Sequence, residues 1–242
     1  MSASGTCIVT GGAGFIGCAI SGGLVDRFAR VIAVDCLHPQ IHPSRQRPAA
    51  LHPQVELVTA DISEAKTWDD LLAHVTPTVV VHLAAETGTG QSLTEASRHA
   101  HVNVTGTTQL LDGLARAQVV PTQILLTSSR AVYGEGPWEP REGGPPRYPG
   151  QRTREQLAAG SWDFEGMTPV AAEAAITQPS PVSVYGATKL AQEHILAAWA
   201  TAFGAATKVV RLQNVYGPGQ SLSNSYTGIV SLFCRLARGR CV

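Results

Sequence analysis

The chain has no long hydrophobic run: nowhere do apolar residues continue uninterrupted for the roughly 18 positions that mark a membrane-spanning helix. A helical membrane span is not expected. Nor is there an excess of charge of either sign, with 18 Lys and Arg against 18 Asp and Glu, so no net field draws the chain to nucleic acid or to an anionic membrane. The expected partners are small molecules. Cysteine is sparse and odd in number, five in 242 residues, and none of the spacings is that of a metal site. Cys7 and Cys18 fall inside apolar runs, which reads as buried, reduced thiols in a cytoplasm. From Met1 the chain runs into Cys7-Ile8-Val9-Thr10 with no basic stretch and no apolar core of signal-peptide length. No targeting signal is expected.

What is present is rhythm. Short β-branched runs at 7–10, 31–35, 55–59, 79–83, 123–127 and 208–212 read as strands, several of them apolar throughout, as strands covered on both faces must be. Helical patterns lie between them at about 14–28, 67–75, 102–118 and 185–203. Strand and helix alternating in this way predict an α/β fold, a Rossmann-type doubly wound parallel sheet. Two stretches interrupt it, and the 15 prolines fall mainly there. One, 38–53, carries His38, His42 and His52 among four prolines. A metal site would need a helix or rigid turn to aim those rings, so the segment reads as a loop and no metal is expected. The other, about 135–181, is too long for an ordinary connection and reads as a lid or a small structured insertion.

Thr10-Gly11-Gly12-Ala13-Gly14-Phe15-Ile16-Gly17 follows the first strand and opens a helix. Glycines in such a turn let the backbone approach a pyrophosphate at the helix N-terminus, and Gly17 lets the helix lie close to the sheet. A lone glycine fingerprint is weak, but here the next strand ends in Asp35, where a carboxylate can accept bonds from the adenosine ribose. The same charge would repel a 2′-phosphate, so NAD is expected as cofactor over NADP, with Arg45 and Arg47 as possible counter-evidence. Asp61 and Ile62 after the third strand, and Leu83, Ala84 and Ala85 after the fourth, complete the expected cofactor site.

Tyr185-Gly186-Ala187-Thr188-Lys189 places a phenol and an ammonium on one helix face. A neighbouring cation stabilises phenolate, so Lys189 is expected to lower the Tyr185 pKa and poise it for general acid–base work. Ser129, at the end of the fifth strand, would hydrogen-bond the reacting oxygen.

Together TGGAGFIG at 10–17, HLAA at 82–85, NVTGT at 103–107, TSSRAVYG at 127–134, YGATK at 185–189 and RLQNVYGPGQ at 211–220 resemble the extended short-chain dehydrogenase/reductases, in particular the NAD-dependent sugar-nucleotide epimerase/dehydratase family. The resemblance implies that Ser129, Tyr185 and Lys189 form the catalytic trio, that Tyr185 and Lys189 also touch the cofactor, and that Asp35 and Asp61 hold the adenosine. Asn214 would meet the diphosphate of a nucleotide-diphosphate sugar, and Asn103 would support the active-site backbone. Dehydratases of this family carry Asp-Glu directly after the catalytic hydroxyl residue, and decarboxylases keep the Glu; Arg130-Ala131 supplies neither acid nor base for loss of water. The resemblance therefore implies a 4-epimerase working through a transient 4-keto sugar, with nucleotide-diphospho-deoxyhexoses as first candidates. A dehydratase, a reductase or dehydrogenase, and a truncated nucleotide-binding pseudoenzyme are the alternatives. It also implies a homodimer paired through the helices at 102–118 and 185–203. Residues 1–212 would be the NAD-binding core and 213–242 the start of a substrate-binding region, with Arg240-Cys241-Val242 reading as a break in a longer chain.

Overall fold

The computed structural model describes residues 3–220 and 229–238. In chain order these form β1 (Thr6–Thr10), α1 (Phe15–Val25), β2 (Arg30–Asp35), β3 (Glu56–Thr59), α2 (Ala65–Leu72), β4 (Val79–His82), α3 (Ala96–Ala100), α4 (Gly106–Arg116), β5 (Gln123–Ser129), β6 (Trp138–Pro140), α5 (Arg154–Ala158), β7 (Met167–Pro169), α6 (Val184–Phe203), β8 (Ala206–Leu212) and α7 (Ile229–Arg238). Six strands make one parallel sheet in the order β3-β2-β1-β4-β5-β8. This is the expected doubly wound arrangement.

The apolar strands are buried on both sides because successive side chains alternate between two cores. Ile8, Ile32, Val80 and Ile124 point to the side covered by α2, α4 and α6, where Trp68, Leu110, Leu114 and Leu196 meet them. Cys7, Val9, Val31, Ala33 and Val81 point to the other side, against Leu24 and Val25 of α1 and Phe28 beyond its end. Burial pushes the Cys7 thiol up to about 12, so it stays protonated and inert. Close packing of α2 on α4 depends on Gly113, where a Cβ would lie 2.5 Å from that of Trp68.

One helix differs from the sequence reading, and the two proline-rich stretches gain detail. The helix expected at 102–118 begins earlier, at Ala96, and runs through a π-turn, His101–Thr105, before α4. A π-turn widens the helix by one residue per turn and here swings Asn103 inward, where it is fully buried. The region 38–53 is irregular, but its histidines have local tasks: His38 and His52 accept from the amides of Gln40 and Gln54. The insertion is a folded unit. Its two short strands, β6 and β7, pair antiparallel, and Arg152 lies over the rings of both Trp138 and Phe164 while pairing with Glu135. Its ends meet at the sheet edge, where the Ser180 amide bonds Val132 O at 2.9 Å. Gly134, at φ +62°, has no room for a Cβ against Ser180 O.

Candidate active site

The C-terminal ends of β1, β2, β4, β5 and β8 open into one cleft of about 1270 Å³, above the ~300–1,000 Å³ usual for a small-molecule pocket and roomy enough for two ligands end to end. Parallel strands put all their carboxyl ends on this edge, which is why residues distant in sequence converge there. Every residue singled out from the sequence for cofactor or substrate lines the cleft, from Gly11 and Asp35 to Tyr185 and Asn214.

At one end the backbone is drawn tightly together. Gly11 has φ +65°, and a Cβ there would stand 2.7 Å from the Ala84 nitrogen, so only glycine lets the turn pass beneath the end of β4. Gly17 is pressed onto the Gly12 backbone, leaving no room for a side chain. No side chain caps α1 at Gly14, so its first amides are free for a ligand. The Asp35 carboxylate is set by two amides, accepting from Ala13 N at 3.1 Å and from Leu37 N at 2.9 Å, with His42 Nε2 at 3.9 Å. Arg47 is turned away and donates to the carbonyls of His52 and Val55 at 2.7 and 3.0 Å. Asp61 is fixed by the Ser63 amide and hydroxyl, at 2.8 and 2.7 Å. The Ile62 side chain packs in the core against Gly106, while the residue itself lines the cleft beside Asp61.

At the other end Ser129, Tyr185 and Lys189 come together. The Ser129 hydroxyl accepts from the Ala131 amide at 3.1 Å, which leaves its own proton free to donate. Tyr185 does not behave as the sequence suggests. Burial raises its pKa above the ordinary phenol value, and the hydrogen bond from Ser129 pulls the other way. Lys189 is not among the groups acting on it. Lys189 is itself fully buried and pushed down to about 7, with the Glu193 carboxylate one turn along opposing that fall. Burial, which sequence spacing cannot report, outweighs the expected pairing.

Beneath these residues lies a polar network that the sequence reading missed. Thr107 donates to Asn103 O at 2.6 Å, so it can only accept from His82 Nε2–H, at 2.9 Å. His82 Nδ1 then accepts from Thr10 Oγ1 at 2.6 Å, and Thr10 accepts from the Ala84 amide. Burial and the Lys189 charge push His82 down to about 3. The unfolded chain takes up a proton near the ordinary histidine value while the native chain does not. Stability is therefore lost as pH falls from about 6.5 to 3 and is unaffected by this group above that window. In urea titrations, the stability difference between the wild type and His82→Gln should narrow by roughly 3 kcal/mol between pH 6.5 and 4. A constant difference contradicts the assignment. Gln192 Nε2 on α6 also donates to Thr107 Oγ1 at 2.7 Å, and the one sequence sign of the network was Gln192 following Thr188 at helical spacing.

The model of the NAD dependent epimerase/dehydratase family matches residues 7–240. The chain belongs to this family. It is 61% identical over 231 residues to the dTDP-L-rhamnose 4-epimerase of Burkholderia thailandensis, covering 96% of this chain and 63% of that protein. It is 30% identical over 214 residues to a dTDP-glucose 4,6-dehydratase of Mycolicibacterium smegmatis, covering 88% of this chain and 54% of the relative. The chain thus spans between half and two thirds of these relatives' length. Among solved structures it resembles a UDP-glucose 4-epimerase of Thermotoga maritima with UDP-glucose, at TM-score 0.71 and 27% identity, covering 97% of this chain and 63% of that one. A UDP-glucose 4-epimerase of Thermus thermophilus in complex with NAD gives TM-score 0.70 and 25% identity, over 96% of this chain and 61% of that one. Asn103 accepts from the Glu86 amide at 2.7 Å and donates to Glu86 O and to Thr188 Oγ1 at 3.0 and 2.9 Å, tying the loop after β4 to α6. Asn214 is exposed and lines the cleft; residues 221–228 and Arg240-Cys241-Val242 lie outside the described residues. No helix among the described residues is long and apolar enough to cross a membrane.

Proposed function

We propose that this chain is the cofactor-binding and catalytic part of an NAD-dependent nucleotide-sugar 4-epimerase, with dTDP-L-rhamnose as its first candidate substrate. The observation that carries the reading is the 61% identity, over nearly the whole chain, to a dTDP-L-rhamnose 4-epimerase. Arg130 and Ala131 support it, because neither can remove the C5 proton or protonate the C6 hydroxyl as loss of water requires.

The residues fit NAD. Gly11, Gly14 and the free amides of α1 would take the pyrophosphate, and Asp35 and Asp61 the adenosine; the Asp35 carboxylate would repel a 2′-phosphate. When bound, NAD supplies an acceptor for the hydride on C4 and returns it to the opposite face. Tyr185 takes the proton of the C4 hydroxyl as the hydride leaves and gives it back when the carbonyl is reduced. Ser129, held by the Ala131 amide, would turn its proton from the Tyr185 phenol to the same oxygen. Lys189, lowered to about 7 by burial with Glu193 opposing the fall, is poised to exchange a proton near neutral pH on the same helix as Tyr185. Residues from 213 onward begin the sugar-binding region, Asn214 reaching the diphosphate and leaving the hexose free to turn.

The test is to incubate the full-length enzyme, NAD-loaded, with dTDP-L-rhamnose and separate the C4 epimers. Inversion at C4 with no net reduced cofactor is expected. A 4-keto-6-deoxy product, or accumulation of reduced cofactor without inversion, overturns the reading in favour of a dehydratase or a dehydrogenase. Light scattering on the same preparation tests the accompanying proposal that α4 and α6, which pack side by side, pair with their counterparts in a homodimer; a monomer at micromolar concentration contradicts it.

A further inference from the structure

β2 and β4 are not neighbours: β1 lies between them and pairs with both. Any contact between the loop leaving β2 and the segment leaving β4 must therefore pass over the end of β1, where the turn from Gly11 to Gly14 opens. Such a contact exists. Gln40 and Gln91 exchange side-chain amide bonds, Gln40 Nε2 donating to Gln91 Oε1 at 3.2 Å and Gln91 Nε2 to Gln40 Oε1 at 3.4 Å. Arg98 adds a third bond, from Nη2 to Gln40 Oε1 at 3.1 Å.

The two ends of this bridge differ. On the β4 side everything is anchored: Arg98 also holds Glu86 at 2.7 Å and Glu95 at 2.5 Å, and Gln91 is buried and bonds Glu95 at 3.0 Å. Glu86 is in turn clasped by Asn103, which reaches Thr188 beside Lys189. On the β2 side Gln40 hangs from an irregular loop between Pro39 and Pro43, and both rims line the cleft.

We propose that Gln40, Gln91 and Arg98 form a bridge that closes over the dinucleotide and keeps it from leaving between the two hydride transfers. The proposal rests on the epimerase reading given above. An epimerase has a need for it that a dehydrogenase lacks: the hydride taken from a sugar must return to that same sugar, and a cofactor that left midway would strand a keto sugar. Leaving the cleft past the bridge requires breaking the three bonds to Gln40, one of them from a charged guanidinium.

The experiment loads the full-length enzyme with etheno-NAD and follows its release, chased by excess NAD, through fluorescence. Gln40→Ala should release the probe about tenfold faster, as expected for loss of two or three hydrogen bonds of modest net strength. Gln40→Met, which fills the same volume without bonding, should match it, and Gln40→Ala with Gln91→Ala should be no faster than Gln40→Ala alone. Thermal unfolding of the cofactor-free variants should stay near wild type, which separates bridging from a general structural role. If Gln40→Ala does not fold, Gln40→Met carries the test. Release within twofold of wild type from folded Gln40→Met overturns the bridge and leaves the epimerase reading standing. Failure of the wild type to bind etheno-NAD overturns both.

Discussion

Tyr185→Phe is expected to lower nucleotide-sugar turnover by about 10²–10⁴, the range for losing a positioned acid–base group, while fold and NAD binding persist. The change removes one oxygen. The ring keeps its place at the start of α6, where the Tyr185 amide donates to Ser92 Oγ at 3.1 Å and Ser183 caps the helix. Among the described residues no other phenol is hydrogen-bonded to Ser129. Ser129→Ala is the less informative change, because it also removes the cap on Ala131 N and loosens the turn that follows β5. Rates of C4 inversion by chromatography, beside NAD titration of the same variant, check the prediction. Turnover near wild type would take the proton-transfer role away from Tyr185.

The parts of this site that were legible in the sequence are those in which backbone geometry or helix spacing dictates residue type. Gly11 and Gly17 must be glycine because backbone lies where a Cβ would go, and a requirement that strict leaves a pattern. Tyr185 and Lys189 share a face because they are four apart on a helix. Asp35 was found because a parallel strand ends at the ligand edge. What could not be read depends on how distant segments cover one another. The phenol's raised pKa comes from burial, which a YxxxK spacing does not encode. The bond between Gln40 and Gln91 joins residues 51 apart through two loops whose paths only the folded chain defines. The π-turn at Asn103 has no sequence sign, yet it is what turns that side chain toward Glu86 and Thr188. In the insertion, the prolines and glycines hid a small core in which Trp138 meets Phe164 edge-on at 4.9 Å.

Glu193→Ala is expected to destabilise the protein by about 3–5 kcal/mol, the cost of breaking a buried ion pair from one side. Glu193 stands one turn after Lys189, and its carboxylate accepts from Ser128 Oγ on β5 and from Arg211 on β8 through Nε at 3.0 Å and Nη2 at 2.8 Å. One side chain thus joins α6 to two adjacent strands directly under the reactive residues. Both members of the pair are largely buried, at 15% and 10% side-chain exposure, and the Arg211 guanidinium also lies over the Tyr133 ring at 4.8 Å. A guanidinium keeps its proton far above neutral pH, so Arg211 cannot escape the loss of its partner by becoming neutral. Removing the carboxylate leaves that charge, the Ser128 hydroxyl and the Lys189 ammonium without their common partner, and nothing in an alanine can replace it. Replacing both ends at once, Glu193→Leu with Arg211→Met, should recover most of the loss, because the penalty lies in the orphaned charge more than in the absence of the pair. Urea unfolding at neutral pH with an unchanged slope measures both variants. A loss below about 1 kcal/mol for Glu193→Ala, the size expected of a solvent-screened surface pair, would mean that water reaches Arg211 and that the pair does not hold α6 to the sheet.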